Sequence, residues 1–248
     1  MKILLFSLLL AGSAIAADAE LKPLMGVPGE VVLENDFGKA GKPAKENWQP
    51  RQATRWTIED GVLRGIPSTP ENQAAKTHHR GLEARASVPK TPAEFVAQFS
   101  IRFLEGEENA IVPFVEFGHH ICRIKFSADD GVFIIADHEM VRVAEARAFK
   151  YEPGKWYHAL AELKGDEFVI QFADGPTLYA RHESFAKPTP SGGNGFGVAG
   201  PRGGSLEIDD VRIWNIGEAP QAGWAKTRAA FPVFKHVPTE KASKPPKK

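Results

Sequence analysis

The sequence predicts an all-β fold, a β-sandwich of jelly-roll type closed by one short C-terminal helix. Three observations lead there. Apolar and polar residues alternate with a period of two over many short segments, the pattern of strands with one buried face. Gly and Asp recur between those segments, where tight hairpins require them. Helical periodicity is nearly absent outside one stretch close to the end of the 248-residue chain. Roughly a dozen strands at short spacing, with no internal repeat and no dividing linker, fit one sandwich.

Taken in order, residues 1–16 read as an export signal. Lys2 precedes the apolar run Ile3 to Ala11, and Ala14-Ile15-Ala16 fits a small-residue cleavage site. The apolar run is too short for a permanent membrane anchor, so the mature chain is expected to carry no transmembrane segment and to be secreted or periplasmic. Residues 17–30, with Pro23 and Pro28, form an extended lead.

The sandwich spans 31–215. Val31 to Phe37 is its first strand, and Trp56 to Gly65 is a hairpin turning at Asp60-Gly61. Leu82 to Val88 follows, then Glu94 to Phe103, the cleanest alternation in the chain. There Phe95, Ala97, Phe99, Ile101 and Phe103 point one way, while Gln98, Ser100 and Arg102 point the other. Ile111 to Phe117, Ile121 to Phe126, Val132 to Ala136 and a short strand near Val141 come next. Trp156 to Gly175 is a second hairpin, with turns at Lys164-Gly165-Asp166 and Asp174-Gly175; Thr177 to His182 and Phe196 to Ala199 extend the set. In the last strand, Leu206 to Trp214, the apolar phase slips from Leu206 and Ile208 to Val211 and Ile213. That slip predicts a bulge at Asp209-Asp210. Residues 216–235 hold the helix, Gly223 to Phe231, docked through Trp224; residues 236–248 are a Lys- and Pro-rich tail expected to be disordered.

Composition narrows the function. Lys plus Arg equals Asp plus Glu at 31 each, so the basic surplus expected of a nucleic-acid binder is missing. Cys122 is the only cysteine, which excludes an intramolecular disulfide; its alternation with Ile124 and Phe126 makes it a small core residue.

Candidate functional residues gather at strand ends and on one strand face. His78, His79, His119, His120 and His138 lie at turns, with Arg80, Glu116, Arg123, Asp137 and Glu139 beside them. Imidazoles and carboxylates brought together there have the donor set for a divalent metal or for general acid–base chemistry, and His78, His79 and His138 are the catalytic candidates. Adjacent histidines on a strand face opposite ways, so at most one of each pair serves a given site. Neither pair has the spacing of a known zinc motif. Arg80, Glu116, His119, Arg123, Lys125 and His182 are the substrate-binding candidates. Arg123 and Lys125 share a face opposite Cys122, Ile124 and Phe126, a polar surface suited to hydroxyls or a carboxylate. His158 is expected as a hydrogen-bonded core group. Trp56, Trp156 and Trp214 are expected in the core, and Trp48, on a loop, is the one tryptophan left as a stacking platform for sugar.

Several of these pieces together resemble a family. The hairpin Trp56-Thr57-Ile58-Glu59-Asp60-Gly61-Val62-Leu63-Arg64-Gly65 is similar to the opening of 3-keto-disaccharide hydrolase-like domains. Matches follow in the same order: Phe95 to Phe103, Pro153-Gly154-Lys155-Trp156-Tyr157-His158, Gly165-Asp166-Glu167, Phe196-Gly197, and Asp209-Asp210-Val211-Arg212-Ile213-Trp214. The resemblance covers about residues 31 to 215 and rests on the order of individually weak motifs. It implies a concanavalin-like jelly roll and a carbohydrate partner. Better known members carry Asn-Ser-Gly after the Phe-rich strand; here Glu107-Glu108-Asn109-Ala110-Ile111-Val112 keeps only the Asn, so no catalytic residue is carried over.

Glu207-Ile208-Asp209-Asp210-Val211-Arg212 looks like the catalytic strand of family sixteen glycoside hydrolases. A retaining mechanism needs two carboxylates about 5–5.5 Å apart, and Arg212 occupies the position of the second Glu. Two functions stand open: a carbohydrate-active domain cleaving glycosidic bonds of 3-keto sugars, and a non-catalytic glycan-binding or envelope-associated module.

Overall fold

A computed structural model of the protein describes residues 21–77, 80–89, 91–118, 121–136, 139–187 and 195–239. Its elements begin with β1 (Gly26–Asn35), β2 (Gln49–Pro50), β3 (Arg55–Glu59), β4 (Val62–Ile66), helix α1 (Pro70–Ala74) and β5 (Glu83–Val88). The middle of the chain forms β6 (Phe95–Phe103), β7 (Phe114–Phe117), β8 (Cys122–Ser127), β9 (Gly131–Ala136) and β10 (Val141–Ala146). Then come β11 (Trp156–Lys164), β12 (Glu167–Phe172), β13 (Thr177–Arg181), β14 (Phe196–Arg202), β15 (Leu206–Pro220), helix α2 (Trp224–Ala230) and β16 (Val237–Pro238).

These strands build two antiparallel sheets. The first runs β13-β12-β11-β6-β15-β4-β3, with β1 also paired to β15; the second runs β16-β10-β9-β8-β7-β14-β5-β2. The β3–β4 hairpin turns where Asp60 (φ 52°) and Gly61 (φ 77°) both take positive φ, the conformation that matches the twist of a two-residue turn. The bulge expected in the last strand lies between Asp209 and Arg212, with Asp210 at φ 48°. It has a topological use. Before it β15 pairs with β4, after it with β1, and the slip keeps Leu206, Ile208, Val211 and Ile213 all buried.

Between the sheets, the phenylalanines of β6 meet those of the second sheet. Ring centroids are 5.2 Å apart for Phe95–Phe117, 5.4 Å for Phe99–Phe196 and 5.1 Å for Phe103–Phe126. Each buried ring contributes about 1.5–3 kcal/mol by leaving water. The stacked Phe95–Phe117 pair and the tilted Phe99–Phe196 and Phe103–Phe126 pairs add about 0.5–1.5 kcal/mol each. Cys122 lies in this core, fully buried, as its alternation predicts.

A smaller cluster of Met25, Val169 and Trp224 lies on the far side of the first sheet, where the N-terminal lead and α2 cover it. Glu162 of β11 anchors the lead. Its carboxylate, 0 % exposed as a residue, accepts the backbone N–H groups of Leu24 (2.7 Å), Met25 (2.9 Å) and Gly26 (2.7 Å).

Three expectations are corrected here. Trp48 is no open platform: it is 1 % exposed, packs against Phe37 and Phe196, and donates from Nε1 to Asn35 Oδ1 at 3.1 Å. A large ring on a loop gains more by filling the end of the core than by facing water. Trp156 and Trp214 are half-buried and stand outside the inter-sheet core, whereas Trp56 belongs to it. His158 is likewise half-buried on the outer face of the first sheet, because Tyr157, Ala159 and Ala161 take the core side of β11.

Candidate functional site

The second sheet turns Val115, Phe117, Ile124, Phe126, Val132 and Ile134 inward, which leaves Phe114, Glu116, Arg123, Lys125 and Phe133 facing out. Register then assembles the site. Arg85, Ala199, Phe114 and Lys125 stand opposite one another across β5, β14, β7 and β8; Ser87, Gly197, Glu116 and Arg123 form the next row. β14 contributes only Ala199 and Gly197 to these rows, so a trough runs between β5 and β7. A Cβ at Gly197 would already touch the Cβ atoms of Glu116 and Ser87 at 3.8 Å. Arg85 spans this trough.

Glu116 is the hub. Its Oε2 accepts from Arg85 Nη2 at 3.2 Å and from Arg123 Nε at 2.7 Å. The Phe114 ring lies under three cations: Arg85 at 5.4 Å, Arg123 at 4.5 Å and Lys125 at 4.4 Å from its centroid. Glu116 and Phe114, 3 % and 5 % exposed, are nearly buried although they face away from the core, because the long cationic side chains lie over them. Burial holds the Arg85 guanidinium below its usual value, with Glu116 opposing the shift and Arg123 adding to it. Beside this group, Arg142 lies over Phe133 at 3.9 Å and bonds Glu145 (2.9 Å) and Asp130 (2.8 Å).

Of the expected binding residues, Glu116, Arg123 and Lys125 come together on this face. Arg80 is exposed ahead of β5 and donates to the Lys76 carbonyl. His182 follows β13, the terminal strand of the first sheet. Its Nδ1 accepts the Ser184 N–H at 3.2 Å, and its ring lies 5.5 Å from His236. His78, His79, His119 and His138 lie outside the described residues. Among the described residues, no three His, Cys, Asp or Glu side chains are grouped to hold a metal ion. Arg85 and Phe114 are the residues that sequence reasoning missed; Phe114 alternates with Glu116, but nothing local to Arg85 signals its reach across β14.

No protein-family model matches the chain, and no curated protein matches it in sequence. Solved structures do. A Bacillus subtilis protein of unknown function with a galectin-like fold is similar at TM-score 0.58 and 9% identity, over 79% of this chain and 100% of that one. SCLam, a non-specific endo-β-1,3(4)-glucanase from family GH16, gives TM-score 0.49 and 9% identity, over 77% of this chain and 95% of that one. A LamA variant from Zobellia galactanivorans, in complex with laminaritriose and laminaritetraose, gives 0.47 and 12%, over 76% and 100%. At these identities the likeness is one of fold. The chain is an all-β, concanavalin-like sandwich of galectin-like architecture.

Proposed function

We propose that this protein is an exported carbohydrate-active domain that takes its sugar on the outer face of the second sheet. The observation that carries the reading is the Arg85–Glu116–Arg123 network with Lys125, set around Phe114. Guanidinium groups locked by a shared carboxylate present fixed, planar donors for hydroxyl and carbonyl oxygens. The aromatic rings beneath them hold the cations in place by cation–π contact, so the face offers a few directed polar groups of fixed geometry, as a ligand site does.

The motif resemblance adds the substrate class, a 3-keto glycoside. In such a sugar the C–H beside the ketone is acidic. A base removes that proton, the C–O bond to the aglycone breaks, and water adds to the resulting enone. Arg123 and Lys125 are the cations in place to stabilise the enolate oxygen. One observation favours the second reading, recognition without turnover. Glu116 is committed to two arginines, which opposes its acting as the base.

The test is calorimetric titration of the mature chain with 3-keto glucosides and their unoxidised parents, alongside an assay for released aglycone. Binding that weakens roughly tenfold or more in Arg123→Ala supports the site. Binding with aglycone release establishes turnover, and binding without release establishes the recognition module. Absence of binding by either sugar class overturns the proposal.

A further inference from the structure

The first sheet carries a second polar face, built wholly from described residues. Across β4, β15, β6 and β11 the register aligns Arg64, Glu207, Arg102 and Trp156 in one row. The next row holds Asp209, Ser100 and His158. Among the described residues, the N-terminal lead and α2 cover the other end of this sheet, over Glu162 and Val169. The Arg102 and Arg64 side chains remain 32% and 40% exposed.

Its groups are held in place by one another. Arg102 donates from Nε to Glu207 Oε2 at 2.7 Å and also from Nη2, while its guanidinium lies 4.8 Å from the Trp156 ring centroid. Arg64 bonds Glu59 at 3.2 Å. Ser100, itself buried, holds His158 Nδ1 at 2.7 Å from its Oγ. The rings of Trp156 and His158 stand 6.3 Å apart with planes only 21° from parallel. Both arginines of these rows are thus paired with carboxylates. The carboxylate left over is that of half-buried Asp209, which accepts the Asp210 N–H at 2.8 Å.

That chemistry selects a ligand. Paired arginines offer directed hydrogen bonds without surplus positive charge, and Asp209 repels anions while accepting from hydroxyls. The half-buried Trp156 and His158 rings add aromatic surface beside these polar groups, which an apolar C–H face can meet. A neutral pyranose, with one apolar face and a rim of hydroxyls, meets every one of these features. We propose that the rows around Trp156 and His158 are a second binding site, for neutral sugar rings, separate from the face carrying Arg123 and Glu116.

The experiment follows the His158 and Trp156 side-chain resonances of the mature chain by NMR during titration with methyl β-glucoside, cellotetraose and tetragalacturonate. Saturable shifts at both residues with the neutral sugars, weaker by roughly tenfold in Trp156→Ala and largely kept in Trp156→Phe, are expected. Arg123→Ala should leave these shifts in place, so failure of this site and failure of the other are read separately. A thermal melt of each variant shows that it is folded. No saturable shift with any neutral sugar, or equal response to tetragalacturonate, overturns the proposal.

Discussion

Glu116→Gln is the perturbation that separates a structural counter-charge from a merely decorative surface acid. In the wild type one carboxylate oxygen accepts from two guanidiniums, at 3.2 Å and 2.7 Å. Each charge-assisted bond contributes about 1.5–3 kcal/mol, and removing one partner of a buried pair costs about 3–5 kcal/mol. Two features reduce that figure. The Arg85 and Arg123 side chains keep 24% and 13% of their surface in water, so both recruit solvent once the charge is gone. The glutamine oxygen also still accepts one neutral bond. We therefore expect a loss of about 2–3 kcal/mol, a fall in melting temperature of about 5–10 °C for a domain of this size. Urea denaturation measures it directly. In a double-mutant cycle with Arg85→Gln, a coupling of about 1–2 kcal/mol is expected, because the two residues share one contact. A loss under about 0.5 kcal/mol with no coupling would refute the argument, since it would mean that the two arginines do not depend on Glu116.

Three further outcomes follow from particular contacts. Burial holds the Glu162 carboxyl above its ordinary value of 4.5, against the three backbone N–H groups that favour the anion. A raised folded value means stability that is full below 4.5 and lost as pH rises through the folded value. The wild type should therefore lose stability as pH rises from 4.5 in denaturant titrations; a wild type that gains instead would show the N–H groups winning. His182 is shifted the other way, below 6.5, by burial first and then by His236; Lys187 adds to the shift, and Glu139 and Glu183 oppose it. Its contribution is present above 6.5 and lost as pH falls through the folded value. Amide protection at Thr239, whose N–H donates to the Met140 carbonyl where β16 pairs with β10, should therefore fall from about pH 7.5 to about pH 5 once the slowing of intrinsic exchange is divided out, and His182→Gln should remove that fall. Gly65→Ala would place a Cβ 2.5–2.8 Å from three atoms of the Trp56 ring, so a melt should report a loss of about 1–3 kcal/mol; an unchanged melt would mean that the ring moves aside freely.

How much of this was legible in the sequence depends on how many faces of a strand are covered. β6 reads cleanly because its phenylalanines all enter one core while Gln98 and Arg102 meet solvent. β11 does not. Leu160 and Glu162 are buried on its outer side near the N-terminal lead, and Tyr157, Ala159, Ala161 and Leu163 are buried on its inner side. With both phases apolar or buried, alternation no longer tells inside from outside, which is why the sequence points His158 and Trp156 into the core while the structure has them on the outer face. The bulge at Asp209-Asp210 was legible, since a slip in apolar phase has few other solutions.

The candidate site shows a different boundary. That Arg123 and Lys125 share one face, and Phe114 and Glu116 another, follows from period two within each strand. That those two faces are the same surface follows only from pairing β7 with β8, and Arg85 joins them only because β14 lies between β5 and β7 and brings nothing larger than Ala199 and Gly197. Register between strands far apart in sequence is set by the summed packing of the core, so no local motif encodes it. The same core therefore fixes both polar faces at once. A substitution in the Phe99–Phe196 contact, inside the core, should loosen the Arg85–Glu116 contact through Gly197 of β14 and the Ser100–His158 contact through β6, one residue along each strand from the altered ring.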